Sequence, residues 1–167
     1  LLSYDGAGRL SASLAETWST PDEGVTWEIN LRREVRWHGE ADTMTANDVL
    51  FTYNLLKSEA YAHSPYHDLI KRIASIEAAD EYRLVVAGTE TGMSVLHALV
   101  FPIVSKKHYQ DNKGTGPYCL TYADPAIGAE LTANGNWWKR TPYLSRVVAQ
   151  CLQEENGALP LLQIREA

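Results

Sequence analysis

Between Val25 and Leu31 the chain alternates without a break: Val25, Trp27, Ile29 and Leu31 are apolar, and Thr26, Glu28 and Asn30 between them are polar. Successive side chains of a strand point to opposite faces, so a period of two commits this segment to a half-buried antiparallel strand. The turn before it is equally explicit. In Pro21-Asp22-Glu23-Gly24, Pro presets φ for the first corner and Gly is free to take positive φ. Val35-Arg36-Trp37 resumes the extended pattern.

The period then changes. Thr45 has the chemistry of an N-cap, and Asp48, three residues on, can return a carboxylate to it, as in a capping box. Val49, Tyr53 and Leu56 follow at helical spacing, with Leu50 and Phe51 widening the stripe, so a helix is expected to end near Ser58. Ser13 to Trp18 reads as a short approach segment and Tyr61 to His67 as a loop. Tyr82 to Val86 reads as a strand after a turn at Ala79-Asp80-Glu81. Met93 to Val100 reads as a short helix stopped by Pro102. Further strands are expected at Tyr118 to Tyr122, after the turn Gly114-Thr115-Gly116-Pro117, at Ala129 to Ala133, and at Arg146 to Leu152. The fold class is therefore α/β or mixed α+β, an antiparallel-rich sheet with flanking helices. Residues 1–167 are expected to form a single domain, since no obvious linker divides them.

Composition closes off several functions. With 45% hydrophobic and 22% charged residues, the chain has the make-up of a folded globular domain. Its 15 Lys+Arg stand against 21 Asp+Glu, a formal charge of -6, and the basic spots Arg32-Arg33, Lys71-Arg72 and Lys106-Lys107 are only pairs. Phosphate neutralisation needs a concentrated basic face, so nucleic acid is not an expected partner. No apolar run reaches the roughly 18 residues of a membrane helix. The chain starts at Leu1-Leu2-Ser3-Tyr4 without Met or a signal-peptide pattern, as a fragment or processed form would.

Few constellations point to chemistry. His63 and His67 have the i,i+4 spacing of zinc ligands, but Pro65 between them argues for loop histidines. Ser105, His108 and Asp111 have the residue types of a catalytic triad, yet triads assemble through space and one segment proves nothing. Gly114-Thr115-Gly116 lacks the third glycine and following helix of a dinucleotide loop. Trp137-Trp138 has the chemistry of a sugar-stacking platform or of a packing anchor, and Trp37 and Tyr118 are core candidates first. Cys119 and Cys151 fall in strand-like segments, which makes buried thiols the default, with a disulfide only if the two strands are neighbours.

Six segments, in order, resemble the family 5 extracellular solute-binding proteins, the oligopeptide-, dipeptide- and nickel-binding receptors of ABC importers. Leu14-Ala15-Glu16-Thr17-Trp18 resembles "LAESW", and Glu23 to Arg32 resembles "DGxTWxFxLR". Val35-Arg36-Trp37-His38 is similar to "VKWHDG". Thr45-Ala46-Asn47-Asp48-Val49, with Phe51 and Tyr53, is similar to "TAxDVxFxY". Gly114 to Tyr118 reads "GTGPY", and Asn134 to Trp138 resembles "NPxYW", with Pro142 and Leu144 following. One departure stands out. After Trp37-His38 the chain reads Gly39-Glu40-Ala41-Asp42-Thr43 instead of Asp-Gly-Lys-Pro, one residue longer.

The resemblance implies a partial first lobe of a two-lobe receptor with a type II periplasmic-binding-protein-like fold. It implies that the first strand of the family lies outside the chain, and that Leu162 to Ala167 lead toward a second lobe. It implies a substrate-binding component of an ABC importer that holds short peptides or similar solutes between two lobes, without catalysis and without a cofactor. Its partners would be the small-molecule or peptide ligand and the membrane permease. The chain would work as a monomer on the outer side of the cytoplasmic membrane, periplasmic or held by a lipid anchor outside this sequence. Within this lobe the resemblance points to Tyr66 as a residue presented to the cleft, offering a hydroxyl to a peptide backbone and a flat face to side chains. It also points to Val100 and Phe101, which stand where nickel-binding relatives use an arginine; that absence counts against a nickel chelate. The alternatives are the ligand-sensing domain of a transcriptional regulator and the binding of nickel- or opine-type solutes. Without a visible nucleophile–base set, a small hydrolase is the weakest alternative.

Overall fold

A computed structural model describes residues 1–111 and 113–151, which fall into two compact units divided after residue 115. The proposed end of the last strand at Leu152 and the segment Leu162 to Ala167 lie outside the described residues.

The first unit is built on the alternating segment. Strand β4 (Thr26–Leu31) is central in a four-stranded antiparallel sheet of order β3-β4-β6-β5, with β3 at Ala15–Ser19, β5 at Ile73–Asp80 and β6 at Arg83–Gly88. Its face is as the period requires: Trp27, Ile29 and Leu31 are buried, and Ile29 and Leu84 sit opposite each other in the β4–β6 register. Val25 is the exception, at 46% exposure. It still belongs to the turn, where its N–H donates to Asp22 O at 3.3 Å, so the pleat has not begun. Asp22 organises that turn by accepting from the Thr26 N–H and the Thr26 hydroxyl, both at 2.7 Å. Gly24 there has φ +94 and lies so close to Gly92 that a Cβ would meet the Gly92 nitrogen at 2.8 Å. A side chain at this point would separate the turn from residue 92, whose carbonyl accepts the Trp27 indole N–H at 3.3 Å.

Helix α1 (Ala46–Lys57) begins where the Thr45/Asp48 pair predicts. Asp48 Oδ2 accepts from the Thr45 N–H at 2.9 Å and the Thr45 hydroxyl at 3.2 Å, and Asp48 Oδ1 accepts the Lys106 N–H at 2.8 Å. Val49, Tyr53 and Leu56 face inward, and α1 packs against β5. Thr52 ties α1 to the chain that passes beneath it: its hydroxyl donates to Asp48 O at 2.8 Å and accepts the Val104 N–H at 3.0 Å. Helix α3 (Ser94–Ala98) packs against β6 and buries Val95, Leu96 and Ala98. A two-stranded hairpin, β1 (Leu2–Tyr4) with β2 (Leu10–Ala12), completes the unit.

Three sequence expectations change. Ser13 to Trp18 is no mere approach: β3 pairs along β4 as an edge strand. The stretch from Tyr61 to His67 is not all loop, because Ser64 caps a short helix α2 (Pro65–Ile70) whose first residue is proline. Proline fits there because the first helical N–H has no partner to lose. His67 is therefore helical while His63 precedes the helix, and His67 Nδ1 contacts Leu56 O at 2.9 Å. The turn expected at Ala79 to Glu81 comes later, since β5 continues to Asp80.

The second unit is an antiparallel sheet of order β7-β8-β9, with β7 at Tyr118–Asp124, β8 at Gly128–Ala133 and β9 at Arg146–Gln150. This order decides the cysteine question. β8 separates the strand of Cys119 from the strand that leads to Cys151, and both thiols are free. Burial was expected for both, but Cys119 is half-buried and Cys151 is exposed, just past the end of β9. Asn134, buried, donates from its amide to Gly116 O at 3.0 Å and holds the Gly116–Pro117 turn against the start of the Trp loop. Trp137 and Trp138 are half-buried and meet edge to face at 6.2 Å, with Lys139 over both rings.

Candidate functional site

Tyr66 stands in the first turn of α2, where its N–H donates to Ser64 Oγ at 3.3 Å and its side chain is half-buried. α2 packs against both α1 and α3. The chain leaving α3 is fixed by the Leu2 N–H, which donates to Leu99 O at 3.0 Å. Val100 follows, half-buried. Phe101 is 1% exposed, one of the largest fully buried side chains. α2, which carries Tyr66, packs against α3, Val100 lies two residues past the end of α3, and Phe101 is turned into the core. Beside Val100, on α3, lies a contact the sequence did not signal. Tyr4 Oη meets His97 Nδ1 at 2.8 Å and the rings stack at 5.9 Å. The two residues are 93 positions apart, and no local pattern links them.

A second grouping forms where the turn after Trp37 meets the segment from Ser105 to Lys113. His108 Nε2 faces Asp42 Oδ2 at 3.2 Å and Glu40 Oε2 at 3.8 Å, and His108 Nδ1 faces Asp111 Oδ2 at 3.5 Å. Lys107 pairs with Asp42 at 2.5 Å, and Lys113 pairs with Glu40. The Lys113 hydrogen bond holds the Glu40 carboxyl below its ordinary range, and the Lys107 hydrogen bond does the same for Asp42. Both ammonium groups are pushed up in return, first by those same hydrogen bonds. Two concavities flank the cluster. One, of about 620 Å³, is lined by Trp37, Asp42, Thr45, Asp48, Ser105 and Lys107 among others. The other, of about 430 Å³, is lined by Tyr61, His108, Tyr109 and Lys113 among others. Neither is lined by Tyr66 or Val100. The Tyr61 and Tyr109 hydroxyls meet at the second, and Phe51 packs edge-on to Tyr109 at 5.5 Å.

Ser105, His108 and Asp111 are neighbours here but do not form a nucleophile–base pair. Ser105 is buried and its Oγ accepts the backbone N–H of His108 at 3.0 Å, while the His108 ring faces carboxylates. A nucleophile needs the ring nitrogen at its own oxygen. Ser105 is instead the cap of the following turn. The sequence sets Ser105, His108 and Asp111 close together in one segment without assigning them a role, and gives no sign of Glu40, Asp42, Lys107 and Lys113, whose partners lie some 65 to 73 residues away.

The architecture defines the class first. The fold is that of NikZ from Campylobacter jejuni, solved with Ni(L-His), at a TM-score of 0.85 and 22% identity, over 98% of this chain and 35% of that one. It is equally that of the oligopeptide-binding protein AppA from Bacillus subtilis, solved with a nonapeptide, at a TM-score of 0.85 and 21% identity over 98% and 36%. These receptors have the type II periplasmic-binding-protein fold. The profile of the bacterial extracellular solute-binding proteins, family 5 (middle), matches residues 9–167, and the chain belongs to that family. In sequence it is 27% identical over 165 residues to the di/tripeptide-binding protein 3 of Pseudomonas aeruginosa, covering 80% of this chain and 31% of that protein. With AppA the identity is 25%, over 90% of this chain and 31% of that protein. The chain spans about a third of the length of the curated relatives it matches.

Proposed function

We propose that this chain is the greater part of one lobe of a substrate-binding receptor for an ABC importer, taking short peptides or similar small solutes between two lobes without chemical change. The observation that carries the reading is the family match over residues 9–167, in a chain about a third as long as the relatives named for di/tripeptides and oligopeptides. The receptor works outside the cytoplasmic membrane and hands its ligand to a membrane permease. In this lobe Tyr66 offers a hydroxyl and a ring face to the ligand, Val100 adds apolar surface, and Phe101 backs the segment from the core. The half-buried state of Tyr66 and the packing of α2 against α3 support that arrangement. Such a site suits a peptide, since one hydroxyl and an apolar wall match a backbone amide beside a side chain.

The test is a thermal-shift screen of the full-length receptor containing this chain against dipeptides, oligopeptides, opines and nickel–histidine. A peptide is expected to give the largest shift, and Tyr66→Ala to weaken it about tenfold, the cost of one hydrogen bond and its packing at ~1.4 kcal/mol. Peptide affinity unchanged in that variant would remove Tyr66 from the site, and a shift with nickel–histidine alone would refute the peptide reading.

A further inference from the structure

Glu40, Asp42 and His108 each offer one ligand atom, and these atoms lie within 4.8 Å of one another. We infer that this trio is a binding site for a first-row divalent metal cation, with His108 Nε2 and one oxygen each from Glu40 and Asp42 as ligands.

The geometry is close to what such an ion needs. Bonds of about 2.0–2.1 Å around a tetrahedral ion set neighbouring ligand atoms roughly 3.3 Å apart. His108 Nε2 stands 3.2 Å from Asp42 Oδ2 and 3.8 Å from Glu40 Oε2, on either side of that value. The histidine is also oriented for the task. Its side chain is 10% exposed, and Nδ1 faces Asp111 Oδ2 at 3.5 Å. As it stands, His108 Nε2 is within hydrogen-bonding distance of Asp42 Oδ2 at 3.2 Å, and Lys107 and Lys113 neutralise the two carboxylates. With its proton on Nδ1, toward Asp111, the ring directs the Nε2 lone pair to the same point as the two carboxylate oxygens, where a metal cation takes over the charge pairing. One imidazole, two carboxylates and room for water favour a borderline cation such as zinc(II) over a purely oxygen-seeking one.

Lysines set the terms. Glu40 uses Oε1 for Lys113 and keeps Oε2 toward His108, so that pair survives metal binding and orients the carboxylate. Asp42 uses the same Oδ2 for Lys107 and for His108. Lys107 therefore competes with the metal, and it is exposed enough to swing away. The residues also come from an unusual place. Glu40 and Asp42 lie in the turn where the chain departs from the "VKWHDG" pattern by one extra residue. A metal there clips the turn at 39–43 to the segment at 105–111, whose Lys106 N–H is already held by Asp48 from the α1 side.

The test is isothermal titration of the chelator-stripped chain with zinc chloride, with a thermal melt alongside. One zinc per chain with micromolar affinity and a raised melting temperature is expected. His108→Gln and Asp42→Asn should each weaken binding at least tenfold, and Lys107→Ala, an exposed change that leaves the fold alone, should tighten it. No saturable zinc binding by the unmodified chain, or binding that neither His108→Gln nor Asp42→Asn weakens, would overturn the inference. So would weaker binding in Lys107→Ala.

Discussion

At the scale of single residues, the turn before β4 shows how a local polar group is tuned. Asp22 accepts from the Thr26 hydroxyl and N–H and from the Thr20 hydroxyl, and the Thr26 hydroxyl hydrogen bond is the leading reason its carboxyl lies below the ordinary range. Glu40 and Asp42 are shifted the same way by their lysines. A carboxyl whose folded pKa is depressed stabilises the fold above its unfolded value, about 4, and loses that contribution as pH falls through the lower folded value. Stability should therefore drop from about pH 4 downward. Asp22→Asn should lower the melting temperature at neutral pH and flatten its fall below about pH 4. Melting curves across that range check it; a variant with the same slope as the parent would show that Asp22 contributes nothing to acid sensitivity.

Elements are held by a few polar ties set in apolar packing. Thr52 is 2% exposed and receives the Val104 N–H, which joins α1 to a segment 52 residues away. Thr52→Val keeps the volume but leaves that N–H without its acceptor, so a loss of about 1–3 kcal/mol is expected from chemical denaturation. Asp48→Ala removes three accepted hydrogen bonds at once, two at the cap and one from Lys106, and should cost about 2–3 kcal/mol. If either variant melts like the parent, the tie is replaced by water and α1 is held by packing alone. Legibility in the sequence follows the same division. β4 and α1 were readable because their signals are local: a strict period of two, and a cap three residues from its partner. β5 was not, because register shifts between Ile73 and Ser75 and between Ala78 and Asp80 break the alternation a period search needs. β1 and β2 are three residues each, too short to show a period. α2 was hidden by Pro65, which looks like a breaker until Ser64 is recognised as its cap. Tyr66 and Val100 could be named from resemblance, but that α2 and α3 pack together was not legible. Nor was the charged cluster, whose carboxylates and cations meet only after the sheet has brought the turn at 39–43 to the segment at 105–113.

For the whole molecule, length is the constraint that matters. The chain covers about a third of the length of its curated relatives, and on the proposed reading it is part of a receptor that grips its ligand from two sides. In hinge closure, the contacts made by both lobes exist only in the closed state, so neither half inherits the affinity of the whole. On this account the family membership belongs to the chain, and tight binding belongs to the longer protein. The direct test is isothermal titration of one peptide, the best from the thermal screen, into the full-length receptor and into residues 1–167 in parallel. The account predicts micromolar or tighter binding by the full-length protein and affinity at least a hundredfold weaker for residues 1–167. Equal affinity in the two, or no peptide binding by the full-length receptor, would contradict it.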